Sequence, residues 1–570
     1  YSSTVIRILD LFLTWVWRKI FAGVKTYHAE RLRSAAADHG VIYMPSHRSH
    51  FDYLLISQTL YCNGLVPPHI AAGINLNFWP VGSLLRRGGA FYIRRTFAGK
   101  KLYTAVFRAY LDVLINRGYS IEFFPEGGRS RTGRLLQPKT GVLSMALQSG
   151  LRNQVKPLIF VPVYVGYDRL IEANSYAKEL SGGEKKKESA SQLLSARKIF
   201  DSSYGSPYVS FGEPLELDAH LDATYPNWRE EAKASDGKPE WLSELVEYVS
   251  QDNMRRINAS AVLNPVALVS MILLSSPRGS IAESEMVSQI AVFLELLKKR
   301  PYSSDVIMPE GTPKEIFDSA AKLAGLEAID HEWGRIVTAS GKNAALLTYY
   351  RNNIVHLYAV PALLARQFRH QETWTGEELL SRCEVIYPLL KQELFLTWSV
   401  DEVKEIFKST ITAFVELGLL IDNHDGSYTR PDVRSRLFAV LVGLGRVLRE
   451  TFERYCMANL ILAEHNPTET LTRKDFELEA QQMAERMALL SGRIAPEYFD
   501  KALFRGYLNT LIEYKLVTES GDDKPGLIVS DAIRDRAAAW VTLLGPDTQQ
   551  NVLQLISHPK EAIIADEHAG

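Results

Sequence analysis

Between residues 40 and 212, short apolar runs alternate with longer segments in which apolar residues recur at helical spacing. Such runs are typical of buried strands, and strands separated by helices indicate a sheet covered on both faces. The pattern therefore predicts a mostly parallel α/β sheet flanked by helices. The predicted strands are 41–44, 69–72, 90–93, 120–124, 158–165 and 208–211, and helical patterns lie at 98–116 and 140–150.

Residues 1–34 begin with an apolar segment interrupted by a few charged side chains. The longest uncharged run, 11–17, is far too short to span a bilayer. The tryptophans Trp15 and Trp17 suit an amphipathic helix lying in a membrane interface, although a helix packed on its own domain gives the same pattern. We expect an interfacial helix here, followed by an α/β domain at 35–240.

The remaining residues, 241–570, are predicted to be mainly helical. The stretch 257–277 lacks charged residues, but Asn264-Pro265 interrupts it, which favours buried core over a membrane span. Residues 216–240 are polar and indicate a linker, and 177–198 read as a charged loop.

Two segments of the helical half, 407–431 and 504–530, each predict a helix followed by a hairpin. This is the outline of a winged helix, so nucleic-acid contact is one interpretation. Neither hairpin is rich in Lys or Arg, which favours a structural or partner-contact role.

Composition adds two facts. The whole chain has 65 basic and 66 acidic residues, yet residues 53–167 contain fourteen basic and three acidic ones. This local excess favours an anionic partner, unless the basic face simply pairs with acids elsewhere in the fold. The three cysteines, Cys62, Cys383 and Cys456, form no CxxC pair, so the sequence predicts a reducing setting, no disulfide framework and no metal site.

The first chemical candidate follows the strand 41–44, where His47 precedes Asp52 by five residues. On one continuous helix the two side chains would diverge. They meet if His47 lies on a turn and Asp52 in the first turn of the next helix, and a carboxylate on Nδ1 would leave Nε2 as a base. Alternatively, Ser49 and Asp52 form a capping box that only starts this helix.

A second candidate, 123–133, follows a predicted strand and contains three glycines, two arginines and two hydroxyl side chains. Backbone N–H groups and guanidinium forks suit a phosphate monoester. The order of residues is not that of a Walker loop. Glu126 is unexpected in an anion site and could orient Arg129, orient a substrate hydroxyl or pair with an arginine.

Together, four blocks of this sequence resemble those of the glycerolipid acyltransferase family. His47 to Asp52 resembles the family's HX4D block, and the strand GAFYIRR, with Arg94 near its end, resembles the second. Residues 124–130 resemble F-P-E-G-x-R-S, with Gly128 at the variable place. The apolar stretch VPVYVGY, which contains Pro162, resembles the fourth.

The resemblance implies transfer of a fatty acyl group from acyl-CoA or acyl-acyl carrier protein to the sn-1 hydroxyl of glycerol 3-phosphate, giving lysophosphatidate in the first step of phospholipid synthesis. It implies His47 as general base, Asp52 as its orienting partner, and no cofactor beyond the thioester co-substrate. The residues that it assigns to substrate binding are Arg94, Glu126, Gly127, Gly128, Arg129, Ser130, Arg131 and Pro162.

Since the product stays in the bilayer, the resemblance also implies a peripheral or monotopic protein on the anionic cytoplasmic face of a bacterial inner membrane. No nucleic-acid partner is expected. Three alternatives remain at this point: an acyltransferase that uses dihydroxyacetone phosphate or lysophosphatidate as acceptor, a nucleic-acid-binding regulator built on the helix–hairpin segments, and a catalytically inactive membrane scaffold.

Overall fold

The computed structural model describes residues 1–94, 96, 99–152, 155–173, 175–176, 200, 203–339, 341–465, 470–492, 495–521 and 525–557. The charged loop predicted at 177–198 lies outside the described residues.

Among the described residues, an eight-stranded sheet organises the N-terminal part of the chain. Its strands are β1 (Lys25–Tyr27), β2 (Gly40–Pro45), β3 (His69–Gly73), β4 (Ala90–Ile93), β5 (Ile121–Glu122), β6 (Leu158–Tyr167), β7 (Pro207–Phe211) and β8 (Leu215–Glu216). Their order is β1-β7-β6-β2-β5-β3-β4, with β8 paired to β6. The pairs from β6 through β4 are parallel, and β7 and β8 run antiparallel to β6. The predicted mostly parallel sheet is confirmed.

Helices cover both faces of this sheet. They are α1 (Ser3–Ile20), α2 (Glu30–Asp38), α3 (Asp52–Cys62), α4 (Val81–Arg87), α5 (Lys101–Asn116), α6 (Thr140–Arg152), α7 (Leu217–Thr224) and α8 (Trp228–Ala234). Strand β2 explains why both faces must be covered, since all of its residues are buried. Tyr43 packs in one hydrophobic cluster while its neighbours Ile42 and Met44 pack in another, as alternation along a strand requires.

The prediction of a linker at 216–240 is wrong. This segment contains α7 and α8, whose apolar side chains Leu217, Leu221, Trp228 and Ala232 are buried. These four buried side chains hold two short helices against the domain. The many polar residues around them give the segment the composition of a linker.

The C-terminal part is mainly helical, as expected. Its helices are α9 (Leu242–Ala259), α10 (Pro265–Ser275), α11 (Glu283–Lys299), α12 (Pro313–Ala324), α13 (Gly341–Asn352), α14 (Ala359–Gln367), α15 (Gly376–Leu394), α16 (Val403–Glu416), α17 (Arg436–Gly445), α18 (Arg449–Glu464), α19 (Arg473–Ser491), α20 (Lys501–Glu513), α21 (Asp531–Thr542) and α22 (Pro546–Ser557). Asn264 caps α10, so the uncharged stretch 257–277 is divided between two helices. In the part of the chain that is described, no helix has the length and apolarity needed to cross a bilayer.

Short strands accompany these helices: β9 (Ser280–Ala282), β10 (Glu327–Ile329), β11 (Ile336–Thr338), β12 (Thr373–Thr375), β13 (Ile421–Asp422), β14 (Ser427–Thr429), β15 (Val517–Glu519) and β16 (Leu527–Val529). The pairs β13–β14 and β15–β16 are antiparallel and follow α16 and α20. Both predicted helix–hairpin segments are therefore present.

The two parts of the chain share one hydrophobic core. A single cluster of buried residues contains Val161 and Val163 of β6, Met254 of α9 and Phe452 of α18. The C-terminal helices consequently pack on the sheet directly and can contribute to a site at its edge.

Helix α1 packs with one face only. Ile6, Leu13 and Trp17 are buried, whereas Leu11 and Trp15 keep more than half of their surface exposed, at 66% and 52%. The exposed face carries large apolar side chains, of which Trp15 contacts Phe200, with ring centroids 5.9 Å apart.

Candidate active site

The carboxyl ends of the parallel strands β2, β5, β3 and β4 lie at one edge of the sheet. Loops from neighbouring strands face each other at such an edge, which is where ligands bind in open α/β sheets. Residues 46–51 follow β2, and residues 123–139 follow β5, the direct neighbour of β2. The topology thus places the histidine turn beside the glycine–arginine segment.

A hydrogen bond joins His47 and Asp52. Nδ1 of His47 lies 2.9 Å from Oδ2 of Asp52. The Asp52 side chain is fully buried, while 16% of the His47 side chain remains exposed. Helix α3 begins at Asp52, so the turn before it brings the carboxylate back to the ring.

Three further donors hold the Asp52 carboxylate. The backbone N–H groups of Arg48 and Ser49 donate to Oδ2 over 2.6 and 2.9 Å. The hydroxyl of Tyr167 donates to Oδ1 over 2.6 Å. A buried carboxylate requires such partners, and here they fix its orientation toward the histidine.

The histidine ring is oriented for proton transfer. Because Nδ1 faces a carboxylate oxygen, the neutral ring carries its hydrogen there and keeps a lone pair on Nε2. Within the described residues, no protein group hydrogen-bonds Nε2. The ring also stacks on Phe124, with centroids 4.1 Å apart. This geometry suits a general base acting on a hydroxyl.

The alternative of a capping box is only half present: Asp52 accepts the N–H of Ser49, but the Ser49 side chain does not cap the helix. Asp52 is the first residue of α3, Phe51 occupies the N-cap position, and no side chain caps it. Ser49 instead accepts the N–H of Phe51 at its Oγ, 3.2 Å away. Asp52 therefore organises the turn that carries His47.

The Glu126 carboxylate accepts hydrogen bonds from backbone N–H groups rather than from a guanidinium. Its Oε1 accepts the N–H of His47 over 2.8 Å, and its Oε2 accepts the N–H of Leu136 over 2.9 Å. Burial raises the pKa of Glu126, and the Arg48 guanidinium and the two backbone donors oppose that rise. The Glu126 carboxylate therefore links the turn that contains His47 to the segment that contains Leu136.

We call residues 126–134 the arginine loop. Gly127 has a φ of +61°, a conformation that favours glycine, and lies against the Lys139 side chain. Gly128 faces open space. Ser130 is fully buried, and its Oγ accepts the N–H of Gly133 over 3.1 Å. Ser130 thus holds the shape of the loop from inside.

The two loop arginines differ in their surroundings. Nη1 of Arg129 donates to the hydroxyl of Tyr176 over 3.0 Å and lies 3.6 Å from Oε1 of Glu172. Glu172 in turn accepts Ser49 Oγ and the N–H of His50, which connects Arg129 to the histidine turn. Burial raises the pKa of Glu172. Arg131 is half-buried.

The other two predicted site residues lie farther away. Arg94 directly follows the edge strand β4 and is exposed, with its guanidinium 5.0 Å from the centre of the Tyr103 ring. Strands β3 and β5 separate it from β2, a distance of about 14 Å at ordinary strand spacing. Pro162 lies inside β6 beside Met44, where it is buried in the sheet below the loops.

An apolar cavity begins beside the histidine turn. It is lined by α1, α3, α4, β3 and β4, and Tyr53, the residue after Asp52, is part of its wall. Ala72 and Ala90 form part of its floor, and Ser57 is one of its few polar contacts. Mostly apolar walls with a few polar groups are typical of ligand sites.

No metal centre is formed by the described residues, because no group of three or more His, Cys, Asp and Glu side chains there is arranged around a common point.

Several residues of the site were not found from the sequence. Tyr167 ends the apolar strand β6, and Glu172 and Tyr176 follow it. Their sequence signal is weak, because nothing in their spacing relates them to Asp52 or Arg129. The adjacency of β6 and β2 in the sheet creates the contacts.

Comparisons with known proteins agree on one family. The family model described as glycerol-3-phosphate acyltransferase C-terminal region matches residues 176–520, and the model described as acyltransferase matches residues 23–166.

Curated relatives extend this match to nearly the whole chain. Glycerol-3-phosphate acyltransferase of Pseudomonas putida (strain W619) is 43% identical over 99% of this chain and 68% of its own length. The proteins of the same name from Pseudomonas syringae pv. tomato and Pseudomonas aeruginosa (strain UCBPP-PA14) are 43% and 42% identical, each over 91% of this chain and 62% of their own length. The chain thus spans about two thirds of these relatives.

Among solved structures, the 1-acyl-sn-glycerophosphate acyltransferase of Thermotoga maritima matches 43% of this chain and 78% of its own, at 16% identity and a TM-score of 0.25.

Proposed function

The chain belongs to the glycerol-3-phosphate acyltransferase family, and on this premise we propose that it transfers a fatty acyl group from a thioester to the sn-1 hydroxyl of glycerol 3-phosphate, giving lysophosphatidate. The observation that carries the proposal is the 2.9 Å hydrogen bond between His47 and Asp52 at the strand edge beside the arginine loop.

In the proposed reaction His47 is the general base. Its Nε2 takes the proton of the acceptor hydroxyl while the hydroxyl oxygen forms a bond to the thioester carbonyl carbon. The tetrahedral intermediate then collapses, the carbon–sulfur bond breaks, and the imidazolium proton passes to the leaving thiolate. A positioned base contributes about 10²–10⁴-fold to such a step, and Asp52 stabilises the transient imidazolium.

The arginine loop is the proposed phosphate site. Arg129 and Arg131 supply guanidinium groups, Gly127 and Gly128 allow close approach of backbone N–H groups, and Lys139 lies beside Gly127. Ser130 and Glu126 keep this loop in shape, and Arg94 supplies a more distant cation at the same edge. Pro162 shapes the sheet below the site.

The apolar cavity is the proposed site of the acyl chain, because it begins at Tyr53, next to the catalytic pair, and offers apolar walls. The donor is acyl-CoA or acyl-acyl carrier protein. No cofactor is needed in this mechanism, since the thioester itself supplies the activated acyl group.

Membrane association is proposed from the exposed face of α1. Leu11, Phe12 and Trp15 are exposed there, and Arg18 and Lys19 lie in the last turn of the helix. Aromatic and apolar side chains beside cations suit a helix in the interface of an anionic bilayer. We place the protein at the cytoplasmic face of a bacterial inner membrane, bound peripherally or monotopically.

The deciding experiment measures release of free thiol from palmitoyl-CoA with and without glycerol 3-phosphate. We expect release that depends on glycerol 3-phosphate and is lost in His47→Ala, while the circular dichroism spectrum is unchanged. Parallel assays with dihydroxyacetone phosphate and with lysophosphatidate test the other acceptors. Near-normal release by His47→Ala, or a preference for another acceptor, would overturn the assignment.

A further inference from the structure

The C-terminal helices contact the arginine loop through Asn352, the last residue of α13. Its Nδ2 donates to the carbonyl oxygen of Thr132 over 2.8 Å and to Oε1 of Glu497 over 2.9 Å. Its Oδ1 accepts the Arg351 guanidinium over 3.1 and 3.2 Å. Asn352 is buried, and its amide group links the arginine loop to Arg351 and Glu497 in the helical part.

A second anchor is Arg134, which points away from the sheet edge into the helical part. It hydrogen-bonds Thr451 Oγ1 over 3.0 Å, pairs with Glu393, and lies 3.8 Å from Glu497. Burial opposes ionisation of Glu393, but the Arg454 and Arg134 guanidinium groups outweigh it and hold the pKa of Glu393 below its usual value.

Gly133, between these anchors, touches α13 with its backbone. Its φ is +85°, and a Cβ built on it would lie 2.1 Å from the carbonyl oxygen of Tyr349. Only glycine permits this approach. Three successive residues, Thr132 to Arg134, are therefore fixed from the C-terminal side.

Buried ion pairs of this kind contribute little net stability, because desolvation consumes most of the Coulomb energy; the best-supported reason to keep them is a defined geometry. A phosphate site requires donors that are held in a defined geometry. Its donors stabilise an anion well only when they are already aimed at it, and Arg129 to Arg131 directly precede the anchored residues.

We infer that Asn352 and Arg134 are positioning residues for the phosphate of the acceptor, so that the helical C-terminal part sets the affinity of the arginine loop. This inference rests on the proposed function for the identity of the ligand. It extends that function by giving Arg134, and Asn352 in the helical part, a role in the acceptor site.

The test compares Asn352→Ala with Asn353→Ala. Asn353 directly follows α13 and is also buried, but its Nδ2 donates to the carbonyl oxygen of Tyr349 in that helix, so it is a matched control for loss of a buried amide. We expect Asn352→Ala to raise the KM for glycerol 3-phosphate about ten-fold. We expect kcat and the KM for palmitoyl-CoA to stay within about two-fold, and Asn353→Ala to leave all three unchanged.

Calorimetric binding of glycerol 3-phosphate separates the two hypotheses. If the unmodified protein binds this ligand without turning it over, the proposed function fails while the positioning role is still tested by the affinities. Equal affinity in both variants would overturn the positioning role. Should Asn352→Ala unfold, Thr451→Val replaces it, because it removes the hydroxyl that accepts from Arg134 and keeps the volume; an unchanged KM there would also overturn the inference.

Discussion

Ser130 donates its backbone N–H to the carbonyl oxygen of His47 over 2.9 Å. The N–H of His47 in turn donates to Glu126. Both backbone polar groups of His47 are thus bound by the arginine loop, so hydrogen bonds to the His47 main chain set the distance between its imidazole and this loop.

We expect Glu126→Gln to loosen this connection. Glutamine offers one acceptor oxygen and one NH₂ group, so either His47 or Leu136 loses its acceptor and faces a donor. Leaving a buried N–H unpaired costs about 1–3 kcal/mol. We expect kcat/KM to fall at least ten-fold and the melting temperature to drop, as measured by steady-state kinetics and thermal unfolding. An unchanged kcat/KM in Glu126→Gln would contradict this role of Glu126.

Tyr167→Phe should slow the chemical step. It removes the hydroxyl that donates to Asp52 Oδ1, and a hydrogen bond to a charged group is worth about 1.5–3 kcal/mol. We expect kcat to fall about ten-fold or more, with the KM for glycerol 3-phosphate unchanged. Tyr164→Phe is the control, since its hydroxyl reaches Val262 O instead. Equal effects of the two substitutions would argue against a specific contribution of Tyr167.

Arg129→Ala should weaken acceptor binding. The substitution removes a guanidinium from the proposed phosphate site, and we expect the KM for glycerol 3-phosphate to rise at least ten-fold because charge-assisted hydrogen bonds are lost. Arg117→Ala is the control: Arg117 is exposed and follows α5, at the opposite edge of the sheet. If both variants keep the original KM, the phosphate is bound elsewhere.

Ala72→Leu should change the preferred acyl chain. Ala72 is buried and lines the apolar cavity, so a larger side chain there shortens the space available. We expect the rate with palmitoyl-CoA to fall at least ten-fold relative to octanoyl-CoA. The short donor serves as internal control for intact catalysis. A uniform loss with both donors would indicate general damage rather than a chain-length effect.

Glu122→Gln should change how stability depends on pH. Glu122 is fully buried, neither carboxylate oxygen has a hydrogen-bond partner among the described residues, and burial raises its pKa well above 4.5. The folded state then holds a proton that the unfolded chain releases, so this residue makes the free energy of unfolding fall as pH rises above about 4.5, by up to about 1.4 kcal/mol per unit.

Urea unfolding at pH 5, 7 and 9 checks the sign. We expect Glu122→Gln to gain stability relative to the unmodified protein as pH rises, because glutamine has no proton to lose. Parallel stability curves for the two proteins would show that Glu122 does not titrate differently in the folded state.

The sequence was sufficient for the sheet and for the His47–Asp52 pair, because both depend on local order: a strand, a turn and a helix start. It could not reveal the partners of Glu126, which are backbone N–H groups and carry no residue-type signal. Asn352 and Glu497 were also out of reach, since Asn352 contacts Thr132 of the arginine loop across 220 positions and contacts Glu497 across 145.

The anchoring of Arg134 has a consequence for biosynthesis. Its partners Thr451 and Glu393 follow it by 317 and 259 residues, so a ribosome must release the chain beyond residue 451 before Arg134 can make both contacts. Contacts of such long range form late in folding. We therefore expect the arginine loop to remain unanchored until α18 has left the ribosome, and a stop before residue 393 to yield a sheet whose arginine loop lacks these contacts.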